Sequence, residues 1–169
     1  PGDGDAEKFS ENLDRMAEHV TAVAEAAAPF GVNISLEVNW CAMLRSFRTA
    51  AELVRRVDRP NVGVVWDPAH FVSTPSRVDD LDALKGKIMH AHLNDIRSDA
   101  FWEVLAINED RVIPGDGTLP LRDWTDKVTA NGYDGYHCVE LFNAALWDED
   151  LDTICTKVMD GCKRVGPEA

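Results

Sequence analysis

The fold class can be inferred from the segment Val62-Gly-Val-Val-Trp66, which is followed directly by Asp67-Pro68. An uninterrupted run of apolar residues with one glycine predicts a strand covered on both faces, which is typical of a parallel sheet between layers of helices. The Asp-Pro pair that follows predicts a turn. The stretch therefore indicates an α/β fold and places an acidic side chain at the carboxyl end of a buried strand.

Helix and strand patterns alternate on both sides of this run. Short β-rich segments predict three further strands, over residues 32–38, 87–93 and 136–141. Apolar residues spaced three and four apart predict helices over residues 5–28, 49–57, 81–84, 121–130 and 149–165. Ser46 or Thr49 is the expected cap of the second helix. Because strands separated by helices form parallel sheets with right-handed crossovers, this order predicts a parallel α/β architecture.

Two segments carry further expectations. Residues 97–119 are rich in charge and end in Pro114-Gly-Asp-Gly117, and a loop of this length within a compact domain is usually functional. The last helix has one apolar face that is predicted to point inward, made of Leu151, Ile154, Cys155, Val158, Met159 and Cys162.

The composition predicts one domain over residues 1–169 with a real hydrophobic core. A net charge of −13 repels phosphate backbones and anionic lipid, so it argues against nucleic acid and membrane partners. No apolar run approaches the roughly 20 residues of a membrane span, and the first residues lack the pattern of a signal peptide. The four cysteines form no CxxC pair, which favours free reduced thiols in a cytoplasmic protein.

One potential metal ligand stands at or near the carboxyl end of each predicted strand. The four residues are Glu37, Asp67, His92 and Glu140. Each has an ordinary structural explanation when taken singly, such as a solvated strand end, a turn or a hydrogen-bonded core histidine. Because the carboxyl ends of parallel strands meet at one rim, however, the four are expected to converge there. Three carboxylates and an imidazole suit a six-coordinate Mn²⁺, Mg²⁺ or Co²⁺, whereas a structural zinc site is expected to use thiolates.

Five segments together resemble one known family. They are Ser35-Leu-Glu-Val-Asn39, Val65-Trp-Asp-Pro-Ala-His70, His90-Ala-His-Leu-Asn-Asp95, Pro114-Gly-Asp-Gly117 and Gly132-Tyr-Asp-Gly-Tyr-His-Cys-Val-Glu140. In this order and spacing they are similar to the sugar phosphate isomerase/epimerase family, which has a xylose isomerase-like (β/α)8 TIM barrel. That family includes ketose 3-epimerases, hydroxypyruvate isomerase and keto-inositol (inosose) dehydratase. The fourth segment departs from the family's Pro-Gly-Glu-Gly and is interpreted as a turn that shapes the rim, with a catalytic role for Asp116 as the alternative.

The resemblance also implies roles for single residues. It implies that strands five to eight of the barrel supply the metal ligands Glu37, Asp67, His92 and Glu140. His70, three residues after the aspartate, matches a residue that contacts a substrate oxygen. Arg97, five residues after the ligand histidine, resembles a substrate-binding arginine, with a solvated loop residue as the alternative.

The activity implied by the resemblance is that of a metal-dependent isomerase or epimerase acting on a small sugar or polyol ketone. Glu37 and Glu140 are the candidate catalytic acid and base, which move a proton next to a carbonyl through a metal-stabilised enediolate. Mn²⁺ is the expected ion, with Mg²⁺, Co²⁺ or Zn²⁺ as alternatives.

Three other functions are open. The first is a dehydratase-type lyase acting on keto-inositol, and the second is an inactive fragment that keeps the fold. The third is an apurinic-site endonuclease. Against the endonuclease stand the acidic charge and an arginine within residues 108–113, where a ligand histidine is expected.

Only half of a barrel is visible in the sequence. Four predicted strands instead of eight indicate the C-terminal half, strands five to eight with their helices. An open parallel sheet has two bare edges, so we expect a homodimer or association with a missing N-terminal half. The isolated chain is inactive if the absent strands supply part of the substrate pocket.

Overall fold

Strands and helices alternate along the chain as the patterns predict. In the computed structural model, which describes residues 6–39, 43–98 and 108–166, four parallel strands form one sheet. In sheet order these strands are β1 (Ile34–Glu37), β2 (Val62–Trp66), β3 (Ile88–Leu93) and β6 (His137–Val139). A separate antiparallel pair is formed by β4 (Asp95–Ile96) and β5 (Arg111–Val112).

The helices fill the connections between the strands. They are α1 (Ala6–Ala27), α2 (Phe47–Val57), α3 (Pro68–Ser73), α4 (Leu121–Ala130), α5 (Ala144–Trp147) and α6 (Leu151–Val165), with short 3-10 helices at Ala28–Phe30 and Val78–Leu84. Ser46 caps α2, because its side chain accepts a hydrogen bond from Thr49 N and because its own backbone is extended. Asp58 ends the same helix in a left-handed conformation.

The two faces of the sheet differ: one packs against helices, and the other carries the predicted ligands. Leu36, Val64 and Ala91 pack into the hydrophobic core beneath the helices. Because side chains alternate between the faces of a strand, Glu37 and His92 project from the opposite face. Gly63 marks the close approach of β2 and β3, since a Cβ there would lie 2.2 Å from the carbonyl oxygen of Lys87. This close approach lies at the amino-terminal ends of the two central strands, opposite the rim that carries Asp67 and His92.

The structure differs from the sequence predictions at four elements. The predicted loop over residues 97–119 contains β5, and α3 and α5 are additional helices. Leu151, Cys155 and Met159 are exposed, so the prediction that they point inward is wrong. The reason is that α6 packs through another side: its buried Gly161 lies so close that a Cβ would be 2.6 Å from Ile113 Cγ2.

Two general properties follow from the described residues. Cys138, Cys155 and Cys162 are free thiols, whereas Cys41 lies outside the described part of the chain. Within the residues that the structure describes, no helix combines the length and the apolar content that crossing a bilayer requires.

Candidate metal centre

The four predicted ligands meet at the carboxyl rim of the sheet. One ligand atom from each of Glu37, Asp67, His92 and Glu140 lies within 4.8 Å of those from the other three. His92 Nδ1 lies 3.2 Å from Asp67 Oδ2, 3.4 Å from Glu140 Oε2 and 3.5 Å from Glu37 Oε1. Residues that are distant in sequence therefore surround one point.

Local structure aims the aspartate at this point. Asp67 Oδ1 accepts a hydrogen bond from His70 N and so caps α3, which leaves Oδ2 facing His92. Asn94 secures this orientation, because its Nδ2 donates to Asp67 Oδ2 at 3.1 Å while its Oδ1 accepts from Ala69 N at 2.9 Å. Asn94 is fully buried, and no pattern in the sequence predicts this role for it.

The charges of the cluster shift two pKa values in opposite directions. Burial alone raises the pKa of Asp67, but the hydrogen bond with His92 and the charge of Arg111 outweigh it and lower this pKa to about 2. The same hydrogen bond raises the pKa of His92 above the ordinary value of 6.5, and the charges of Glu140 and Glu37 add to the shift. Asp67 is therefore ionised at neutral pH, and His92 keeps its proton to higher pH than an ordinary histidine.

The residues present fit a divalent cation. Glu37 Oε1 is buried without a hydrogen-bond partner, which is costly for a carboxylate oxygen unless a cation binds it. One proton on His92 Nδ1 cannot satisfy the three carboxylates around it. Carboxylate oxygens with one imidazole nitrogen are ligands that Mn²⁺, Zn²⁺ and related ions accept.

Arg111 is the main site residue that the sequence reasoning missed. Its side chain is 1% exposed, and its Nη1 lies 2.5 Å from Glu140 Oε2 and 3.4 Å from Asp67 Oδ2. One arginine and one divalent cation would together balance the three carboxylates of the centre. In the sequence this arginine stands out only as a departure from the ligand histidine that an endonuclease would have there. The single available signal was its place directly before the apolar pair Val112-Ile113.

His70 lies beside the cluster, as its predicted role requires. Its Nε2 is 3.3 Å from Arg111 Nη2 and 4.0 Å from Glu37 Oε1. Because a guanidinium can only donate, a hydrogen bond in this contact would have His70 Nε2 as its acceptor. Its contact with substrate stays a prediction.

Arg97 and Asp116 lie in other ion pairs. Arg97 Nε is 2.5 Å from Asp110 Oδ1, and the Arg97 side chain is 45% exposed. Its predicted role in substrate binding is not decided by this position and stays a prediction. The carboxylate of Asp116 pairs with Arg164 of α6, which supports its interpretation as part of a turn.

Comparison with known proteins identifies the family. A family model described as a xylose isomerase-like TIM barrel matches residues 1–157 of the chain. The chain belongs to the xylose isomerase-like TIM barrel family. The predicted fold is thereby confirmed, with the chain forming a partial barrel. The crystal structure of the IolI protein with a binding zinc atom has a TM-score of 0.83 and 27% sequence identity, over 93% of this chain and 57% of that chain.

Two curated proteins that are similar to this chain are enzymes. An inosose isomerase of Bacillus velezensis is 34% identical over 129 residues, which are 75% of this chain and 45% of that protein. A 3-dehydroshikimate dehydratase of Pseudomonas aeruginosa is 30% identical over 130 residues, 76% of this chain and 20% of that protein. The chain thus spans less than half the length of these curated relatives. These relatives are thus an isomerase and a dehydratase, and the IolI structure contains zinc.

Proposed function

We propose that this chain carries the metal centre and the acid–base pair of an isomerase or epimerase that acts on a small polyol ketone. The observation that carries the proposal is the convergence of Glu37 and Glu140, from the two outer strands, on the point faced by Asp67 and His92. Two carboxylates held near one substrate position are what proton removal and proton return require. The similarity to an inosose isomerase makes a keto-inositol the first substrate to test.

The proposed roles of the two glutamates differ because their surroundings differ. The side chain of Glu37 is 38% exposed and lies beside His70 and His92 rather than beside an arginine, so Glu37 is the candidate base that accepts the proton from the carbon next to the carbonyl. Glu140 Oε2 is held by Arg111, and it is the candidate for returning a proton. A divalent ion bound by the four ligands would polarise the substrate carbonyl and stabilise the negative charge that develops on its oxygen.

The product depends on where the proton returns. Return to the opposite face of the same carbon gives epimerisation, and return to the neighbouring carbon gives aldose–ketose isomerisation. Loss of a β-hydroxyl group would instead give dehydration, and the similarity to a 3-dehydroshikimate dehydratase supports this second candidate.

The test is the exchange of substrate hydrogen with solvent. Protein stripped with a chelator is reloaded with Mn²⁺, Zn²⁺, Mg²⁺ or Co²⁺ and incubated with a keto-inositol in D₂O. In proton NMR, the signal of the hydrogen on the carbon next to the carbonyl should then decrease as deuterium replaces it. Glu37→Gln should slow the exchange by on the order of 10²-fold or more, because a positioned general base contributes that much.

A matched variant separates the base from a general effect of charge. Glu18→Gln removes the same charge from the exposed surface of α1 and should leave the exchange rate unchanged. Exchange at the wild-type rate in Glu37→Gln would exclude Glu37 as the base. A new alkene signal with loss of water would identify the dehydratase instead.

We also propose that the open sheet is completed by a second β/α unit, either another copy of this chain or the remaining half of the barrel. The outer strands β1 and β6 have no neighbour on their outer side among the described residues. In a closed barrel these edges are paired, and strands from the other half contribute to the substrate pocket. Turnover is accordingly expected from the completed barrel.

A further inference from the structure

Asp95 is a buried carboxylate that binds four backbone amides. It is 1% exposed, and its Oδ1 accepts hydrogen bonds from Ile96 N at 2.8 Å and Leu119 N at 2.9 Å. Its Oδ2 accepts from Gly115 N and Gly117 N, both at 3.1 Å. Three of these four amides lie in the turn that contains Pro114-Gly-Asp-Gly117, about twenty residues further along the chain.

The turn can close on Asp95 only because residue 117 is a glycine. A Cβ at Gly117 would lie 2.2 Å from the carbonyl oxygen of Ile96 and 2.4 Å from Asp95 Oδ1. Thr118 N also donates to Ile96 O at 3.1 Å. The carboxylate and the tight turn together fasten the chain after β5 to the start of β4.

Arg111 connects the turn that Asp95 holds to the metal centre. Arg111 is paired with Ile96 in the antiparallel ladder of β4 and β5, so the segment that Asp95 holds is the segment that carries the arginine. The Arg111 guanidinium in turn contacts Glu140 Oε2 at 2.5 Å. Any loosening of the turn therefore displaces a group that contacts a metal ligand.

We propose that Asp95 is a positioning residue for the metal centre: it holds the turn over residues 114–119, this turn holds Arg111, and Arg111 orients Glu140 for binding the cation. The proposal rests on the proposed metal centre. It goes beyond that centre because it assigns the cation affinity partly to a carboxylate that does not bind the cation.

A double-mutant cycle tests the proposal. The dissociation constant for Zn²⁺ is measured by competition with a chromophoric chelator for the wild type, Asp95→Asn, Arg111→Gln and the double variant. Outer partners of metal ligands typically contribute about 10- to 100-fold in affinity, so Asp95→Asn should lower the affinity about 10-fold. In the Arg111→Gln background the same substitution should lower it less than about 2-fold, since residues that act through one path are not additive.

The outcomes separate the inference from the proposed function. An equal loss of affinity in both backgrounds, or no loss in Asp95→Asn alone, would overturn the role of Asp95. A wild-type protein that does not bind Zn²⁺, Mn²⁺ or Co²⁺ would overturn the metal centre itself. Asp79→Asn, at an exposed position, is the matched control and should bind Zn²⁺ like the wild type.

Amide hydrogen exchange tests the same coupling without a variant. If the turn assists cation binding, the bound cation must stabilise the turn by the same free energy. Saturating Zn²⁺ should therefore slow exchange at the amides of Gly115, Gly117 and Leu119 severalfold more than at the amides of α2. Equal slowing in both places, or none in the turn, would overturn the proposal.

Discussion

At the level of single residues, the site depends on side chains whose two polar atoms bind different partners. Asp67 caps α3 with one oxygen and presents the other to His92. Asn94 binds a backbone amide with its oxygen and the aspartate with its nitrogen. A hydrogen bond to one polar atom of such a side chain fixes the orientation of its other polar atom. Hydrogen bonds of this kind keep the ligands of a site oriented.

We predict that Glu140→Gln lowers the affinity for Zn²⁺ at least about 10-fold and abolishes hydrogen exchange of the substrate with solvent. The amide is a neutral and weaker ligand, and it removes the ion pair with Arg111. The fold should persist, since Asp67 Oδ2 also lies 3.4 Å from Arg111 Nη1. Isothermal titration calorimetry and circular dichroism check both parts.

Glu149→Gln is the control for this prediction. The side chains of Glu140 and Glu149 are both 31% exposed, but Glu149 pairs with Lys157. The control variant should bind Zn²⁺ as the wild type does. Retained exchange activity in Glu140→Gln would remove this residue from the proposed mechanism.

We predict that cation affinity rises with pH across the titration of His92. A proton and a metal ion compete for the same Nδ1 lone pair, and the raised pKa of His92 extends this competition above pH 6.5. The dissociation constant for Zn²⁺ should fall by up to about tenfold per pH unit below the pKa of His92 and level off above it. Chelator competition between pH 5.5 and 8.5 measures the curve, and a constant affinity over this range would contradict the prediction.

The same two groups also make the stability of the fold depend on pH, and their contributions are lost at opposite ends of the pH range. The raised pKa of His92 gives stability that is complete below the unfolded value near 6.5 and is lost as the pH rises through the folded pKa. The lowered pKa of Asp67 gives stability that is present above about 4 and is lost as the pH falls towards 2. The cluster thus favours the folded state most between these two titrations.

At the scale of elements, short pieces of structure position the site. The two-residue strands β4 and β5 carry Asp95 and Arg111, and the six-residue helix α3 begins at the ligand Asp67. Elements this short contain less than two periods of any hydrophobic pattern. They form because the surrounding chain supplies their hydrogen-bond partners.

We predict that Ser46→Ala destabilises the protein by about 1 kcal/mol, the usual contribution of a helix N-cap. The substitution leaves Thr49 N, in the first turn of α2, without its acceptor at 3.1 Å. Urea denaturation followed by circular dichroism measures the change in the free energy of unfolding. Ser98→Ala, at an exposed position outside the helices and strands, is the control and should unfold like the wild type. Equal stability of all three proteins would show that the cap contributes nothing.

At the scale of the whole molecule, apolar side chains are exposed near both edges of the sheet. Phe30 and Val32 lie directly before β1 and are exposed. At the other edge, Tyr136 precedes β6 and is 92% exposed. Leu151 of α6 is exposed as well. Exposed apolar groups next to unpaired strand edges are typical of surfaces that another chain or segment covers.

We predict that the purified chain self-associates, because another copy is then the only partner available to these edges. Light scattering and sedimentation velocity should give a mass above that of the monomer that rises with protein concentration. The double variant Leu151→Gln and Met159→Gln should weaken association, whereas Asp152→Asn on the same helix should not. A stable, well-folded monomer at high dilution, with no association on concentration, would reject this prediction.

The alternation of strands and helices and the order of the four ligands along the chain can be predicted from the amino-acid sequence. Both are local features, since an apolar run and the polar residue that ends it lie within a few positions of each other. Two other contacts are seen only in the folded chain: Arg111 pairs with Glu140, 29 residues away, and Asp95 binds Gly117, 22 residues away. Contacts over such distances depend on how packed elements bring separate segments together, which no local pattern encodes.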